Sequence, residues 1–123
     1  MNLNPINSKH DERVARLLFS TVYPLYLAKI ERKGRTEAEL LAVIEWLTGF
    51  NHEKVRNLIY ENTSFEAFFQ QATLHPNAHL ITGLICGVRI EAIENTLTQH
   101  VRYLDKLVDE LSKGKTLEKI LRK

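Results

Sequence analysis

The lone cysteine, Cys86, and the five histidines are the residues of this chain with chemistry beyond solvation and packing. A cysteine becomes a nucleophile when a histidine or a positive charge lowers its thiol pKa. Cys86 sits among Leu84, Ile85 and Val88, with no charge adjacent before Arg89. That setting predicts a buried small hydrophobe. His75 and His79 are four apart, the spacing of two metal ligands on one helix face. Pro76 opens a new segment between them and no cysteine or acidic third ligand is close in sequence, so no metal site is expected. His100 falls in the apolar register of a long helix. There it is either a protonation switch or a histidine at the edge of the core with its nitrogens satisfied.

Charge offers a second kind of chemistry. The net charge is only +2, but it is unevenly spread. Lys29, Arg32, Lys33 and Arg35 form one basic cluster, and Lys113, Lys115, Lys119, Arg122 and Lys123 form another. Between them Glu37, Glu39, Glu45, Glu53, Glu61, Glu66, Glu91 and Glu94 face only Lys54, Arg56 and Arg89. If the clusters adjoin they make one positive patch for a nucleic acid or an acidic partner, with Tyr26 or Tyr103 available to stack on bases. A basic last turn also complements a helix dipole and keeps a surface soluble, and this solvated reading is preferred. Residues 36–60 invite a helix-turn-helix reading, but the acids around Lys54 and Arg56 give the wrong balance for phosphates. No glycine-rich phosphate loop, nucleophile elbow or paired-carboxylate motif is present. An enzyme is the least expected class, and no cofactor is expected.

The elements that would position these residues are helical. From Ile90 the apolar residues fall at Ile90, Ile93, Leu97, Leu104, Leu107 and Leu111, in steps of three and four once His100 is counted. That is one helical face, and it predicts a long helix over residues 89–111. The other face carries Arg102, Asp105, Lys106, Asp109 and Glu110. Upstream, Gly83 and Gly87 bracket a short apolar run for which helix is preferred to strand. Earlier, a helix starts near Asp11 and a second one starts at Pro24 and ends at Gly34. Thr36 and Glu39 form a capping box for residues 37–48, closed by Gly49. Asn51 and Ser64 cap two further helices, the latter placing Phe65, Phe68 and Phe69 in the core. Residues 75–78 form a turn, and Gly114 separates the long helix from a last short one. No strand is expected.

Composition fits this picture. With 123 residues, 44% hydrophobic and 26% charged, the chain reads as one globular domain. The expected fold is all-α: a compact single-domain bundle of six or seven helices over residues 10–123, behind a flexible lead-in at residues 1–9. One cysteine excludes an internal disulfide, and no leader or long apolar span is evident. A cytoplasmic location away from membranes is expected.

Several segments carry a resemblance. Glu31-Arg32-Lys33-Gly34-Arg35-Thr36, Trp46-Leu47-Thr48-Gly49, Leu80-Ile81-Thr82-Gly83 and Cys86-Gly87-Val88-Arg89 resemble, in order, a family of small bacterial proteins. So does the run from Arg102-Tyr103-Leu104-Asp105 through Glu110-Leu111. The family is catalogued as domain of unknown function 2200, and the similarity runs from about Phe19 to the end. It implies no reaction, cofactor or partner. Where the family is expected to carry Asn-Pro-Asn this chain has His75-Pro76-Asn77, so no role is carried over to His75. The functional expectation is an interaction or regulatory module with an unidentified protein partner or a second copy of itself. A nucleic-acid-associated protein using residues 29–35 and 113–123 is the alternative.

Overall fold

Backbone groups at Leu17, Leu18 and Phe19 decide where the first helix stops. A computed structural model describes the backbone of residues 5–123, with side chains from residue 9 onward. Helix α1 (Pro5–Arg16) begins six residues before the expected start at Asp11. Proline is well placed in a first turn, where its missing N–H would have no partner. Of the expected lead-in, residues 1–4 lie outside the described chain. After α1, Phe19 N–H donates to the Thr63 carbonyl and Phe65 N–H to the Leu17 carbonyl, both at 2.8 Å. This strand-like bridge of Leu18 with Ser64 uses the groups that would have continued α1.

The next helix, α2 (Phe19–Glu31), therefore starts five residues before Pro24 and runs through it. Pro24 removes one hydrogen bond to the Ser20 carbonyl. It stands on the exposed side of α2, where water can take over. The remaining early helices match the sequence expectations. Helix α3 (Glu37–Thr48) opens on the Thr36–Glu39 capping box and ends at Gly49, whose φ of 77° is the left-handed conformation that glycine adopts without strain. Helix α4 (His52–Tyr60) is capped by Asn51 and α5 (Phe65–Gln71) by Ser64.

Residues 80–93 depart from expectation. Leu84–Ile85 (β1) and Val88–Arg89 (β2) pair antiparallel, Ile85 with Val88 and Leu84 with Arg89. Cys86 and Gly87 form the two-residue turn, with φ of 50° and 76°. That is the mirror-image turn whose twist suits a hairpin, and it needs positive φ at both positions. Gly87 therefore turns a hairpin where a helix was preferred, and Cys86 is exposed at the tip rather than buried. Ile90 is fully buried in a 3-10 turn (Ile90–Ala92) after the hairpin, its N–H donating to the Gly83 carbonyl at 2.9 Å.

The long helix α6 (Thr96–Ser112) consequently begins seven residues later than the apolar spacing predicts. Asn95 sets that start: its side chain accepts the Thr98 N–H at 2.9 Å, satisfying a donor that has no partner within the helix. Gly114 then turns the chain into α7 (Leu117–Ile120), and the buried Ile120 reaches the core. The fold is all-α apart from the small hairpin, with seven α-helices among the described residues. Helices α1, α2, α3, α5 and α7 all pack on α6. Phe19, Ile30, Leu40, Ile44, Leu47, Phe68, Leu104, Leu107 and Leu111 are fully buried around it. No helix among the described residues is long and apolar enough to cross a membrane.

Candidate functional site

The cap at Asn95 places Asn95, Thr98 and Arg102, three and then four apart, along one side of α6. Helix α1 crosses there, and the Thr98 hydroxyl donates to Asp11 Oδ1 at 2.7 Å. The hairpin and the 3-10 turn that follows it are each fastened to the same helix. Gln99 Nε2 donates to the Ile90 carbonyl at 3.1 Å and Lys106 Nζ donates to the Leu84 carbonyl at 3.0 Å. Gly83 N–H donates to Glu91 at 3.0 Å, which holds the Glu91 carboxyl below its usual range. Between these pieces lies a groove of about 570 Å³. Val88, Ala92 and Ile93 give it apolar walls, and Asp11, Arg89, Glu94 and Arg102 give it charge of both signs, with His10 beside them.

The expected basic patch lies at the opposite end of α6. The two clusters do adjoin there, but most of their charge is already used. Lys29 pairs with Asp109 at 3.2 Å and Lys113 with the same carboxylate at 2.9 Å. Lys115 and Arg122 both pair with Glu110, at 3.2 and 2.6 Å. Arg35 holds Glu39 at 2.6 Å and donates to the carbonyls of Leu111 and Lys115 at 2.9 and 2.7 Å, satisfying the C-terminal end of α6. Glu110 was expected on the solvated face, yet its side chain is only 4% exposed, because the turn at Gly114 folds Arg122 back over it. Arg32, Lys33, Lys119 and Lys123 remain without an acidic partner among the described residues. Tyr26 and Tyr103 are buried, and the Tyr26 hydroxyl donates to Asp105 at 2.5 Å, so neither ring is free to stack on a base.

Comparison with known proteins fits the fold and brings no activity. A family described as an uncharacterized protein conserved in bacteria (DUF2200) matches residues 13–122. The chain belongs to that family. The crystal structure of an uncharacterized protein, SP1917, is similar to this DUF2200 chain at 41% identity and a TM-score of 0.84, over 89% of this chain and 91% of that one. No curated protein matches.

The remaining candidates of the DUF2200 chain do not converge. His75 stacks on Trp46 with ring centroids 4.1 Å apart and accepts the Asn77 N–H, while His79 Nδ1 lies 2.9 Å from the Pro76 carbonyl. Among the described residues no group of metal-ligating side chains is present. His100 is half-buried between Phe69 and Tyr103, with ring centroids at 5.6 and 5.8 Å. Burial pushes its pKa below the usual value. Below about pH 6.5 the unfolded chain then binds a proton that the folded chain resists, so this contribution is full above that pH and fades as pH falls. Urea unfolding of His100→Gln between pH 7 and 5 should show a shallower pH dependence than the parent.

Cys86 occupies a left-handed position for which asparagine is better suited. Cys86→Asn is expected to stabilise the fold by about 0.5 kcal/mol, read as a higher urea midpoint. In the unmodified protein an aromatic disulfide reagent should titrate one thiol without denaturant.

The groove residues escaped the sequence reading. They come from three separate segments, and only the asparagine before Thr96-Leu97-Thr98 carried a local sign, as a helix cap.

Proposed function

We propose that this DUF2200 chain is a cytoplasmic, non-enzymatic interaction module that docks a segment of a partner protein in the groove between the hairpin, α1 and the start of α6. The observation that carries the reading is the groove itself. Its volume falls in the range of ligand sites, and its apolar walls end in polar groups from three segments held by cross-links to α6. Leu84 and Val88, 53% and 38% exposed, extend an apolar surface at the hairpin beside it. Selection of a random-peptide display library on the full chain tests this. Enriched peptides should perturb amide signals of residues 10–11 and 87–102, and should lose binding to Ala92→Trp, which fills the groove from an exposed position. No enrichment, or enrichment indifferent to Ala92→Trp, rejects the proposal.

A second reading, nucleic-acid association, draws on the adjoining clusters at the other end of α6. Its support is reduced to Arg32, Lys33, Lys119 and Lys123, since the other cations share Glu39, Asp109 and Glu110. Salt-titrated binding of fluorescent RNA and DNA, with these four residues changed to glutamine as control, decides it. Binding that is absent at low salt removes this reading.

A further inference from the structure

The two ends of the groove differ in chemistry. Asn95 and Arg102 are seven residues apart on one side of α6, about 10 Å along the helix. At the Asn95 end Glu94 has no partner among the described residues; Asp11, one turn further along beside Thr98, has among them only the Thr98 hydroxyl, on one oxygen. At the other end Arg102 spends Nη1 on Asp105 at 3.0 Å, which leaves its further donors without an acceptor among the described residues. Arg89, on the hairpin strand opposite Leu84, lines the same groove as Arg102. Its side chain is 58% exposed and its one ionic contact, to Glu91, is loose at 3.9 Å. Val88, Ala92 and Ile93 line the same groove.

We infer that the groove recognises an extended peptide segment with a basic residue and an acidic residue two to four positions apart and an apolar residue between them. The basic side chain meets Glu94 and Asp11, the acidic one meets Arg89 and Arg102, and the apolar one meets Val88 and Ile93. An extended chain advances about 3.3 Å per residue, so the roughly 10 Å between the ends corresponds to about three positions. Polyanions are disfavoured because Glu94 and Asp11 repel them, and polycations because Arg89 and Arg102 do. A free amino acid, with its charges on neighbouring atoms, cannot reach both ends. This inference rests on the groove being the docking face.

The test uses peptides enriched on the full chain and fluorescence anisotropy. Arg89→Glu and Glu94→Arg alter exposed residues, and melting curves check that each variant is folded. Each single change should weaken the enriched peptide by about tenfold or more, with a steep salt dependence in the parent. The double variant should recover binding for a peptide whose two charges have been exchanged. Peptides that are lost in Ala92→Trp yet indifferent to both charge reversals overturn the charge pairing and leave the docking groove standing. Failure of any peptide to bind the groove removes both. A second copy of the chain as occupant would appear as concentration-dependent association abolished by Ala92→Trp, and would also overturn the peptide assignment.

Discussion

In Glu110→Ala the unfolding free energy is expected to drop by about 3 kcal/mol, with an unchanged denaturant slope. Glu110 is almost fully covered and receives two bonds from the Arg122 guanidinium, at 2.6 and 2.7 Å, together with Lys115 at 3.2 Å. Removing the carboxylate leaves the guanidinium enclosed without its counter-charge. The cost lies at the lower end for buried pairs because Lys115 is half-exposed and turns to water. A double-mutant cycle with Arg122→Ala isolates the pair, and a coupling under about 0.5 kcal/mol would make the contact incidental.

The same clamp gives the protein an acid limit. Burial raises the Glu110 pKa, but Arg122 and Lys115 outweigh it, and the net result is a carboxyl below its usual range. Asp109 shows the same balance, with Lys113 and Lys29 prevailing over burial. Glu39 is lowered to about 2, chiefly by the Arg35 hydrogen bond. In all three the unfolded carboxyl takes up its proton at a higher pH than the folded one. Their stabilisation is full above about pH 5 and is lost as pH falls through the folded values. Glu110→Gln should flatten that acid slope without abolishing it, since Asp109 and Glu39 remain.

The second large effect is expected at Phe68. Its ring meets Phe19 at 4.5 Å, Phe69 at 4.9 Å, Phe50 at 5.2 Å and Phe65 at 5.9 Å between centroids. Phe68 is fully buried, so Phe68→Ala removes the atom set on which four other rings rest. The expected loss is about 4 kcal/mol, from the transfer of the ring and from the cavity left behind. Against a total stability of about 5–15 kcal/mol this is a large share. Thermal melts should fall by about 15 °C. Phe68→Leu, which keeps most of the volume, should cost about 1.5 kcal/mol or less. Equal losses in both variants would mean that ring geometry, and not filled space, sets the stability of this cluster.

What the sequence made legible was local. The Thr36–Glu39 box, Asn51, Ser64 and the glycine after Thr48 each act through hydrogen bonds or φ values within a few residues, and all lie where the chain pattern puts them. The long helix was visible from Leu97 onward. Its start was misplaced because Ile90 and Ile93 keep a helical spacing by coincidence, Ile90 being buried by the hairpin turn instead. The hairpin is only two residue pairs long, too short for an alternating pattern to stand out. Glu110 reads as solvated until Arg122, twelve residues on, is folded back over it. The two basic clusters were evident; Arg35–Glu39 and Lys113–Asp109 lie four apart in sequence, but the pairing of Lys29 with Asp109 and of Arg122 with Glu110 needs the tertiary fold. The groove draws on residues 10–11, 87–94 and 95–102, and no single window contains its chemistry.

That α6 is the shared partner of α1, α2, α3 and α5 has a consequence for biosynthesis. A chain emerging from the ribosome presents Phe19, Ile30, Leu40 and Ile44 long before residues 96–112, which cover them, have been made. Folding of this domain is therefore expected to wait until α6 has been made. A message cut short ahead of Thr96 is expected to give no folded half-domain, only a chain with its core side chains open to chaperones and proteases.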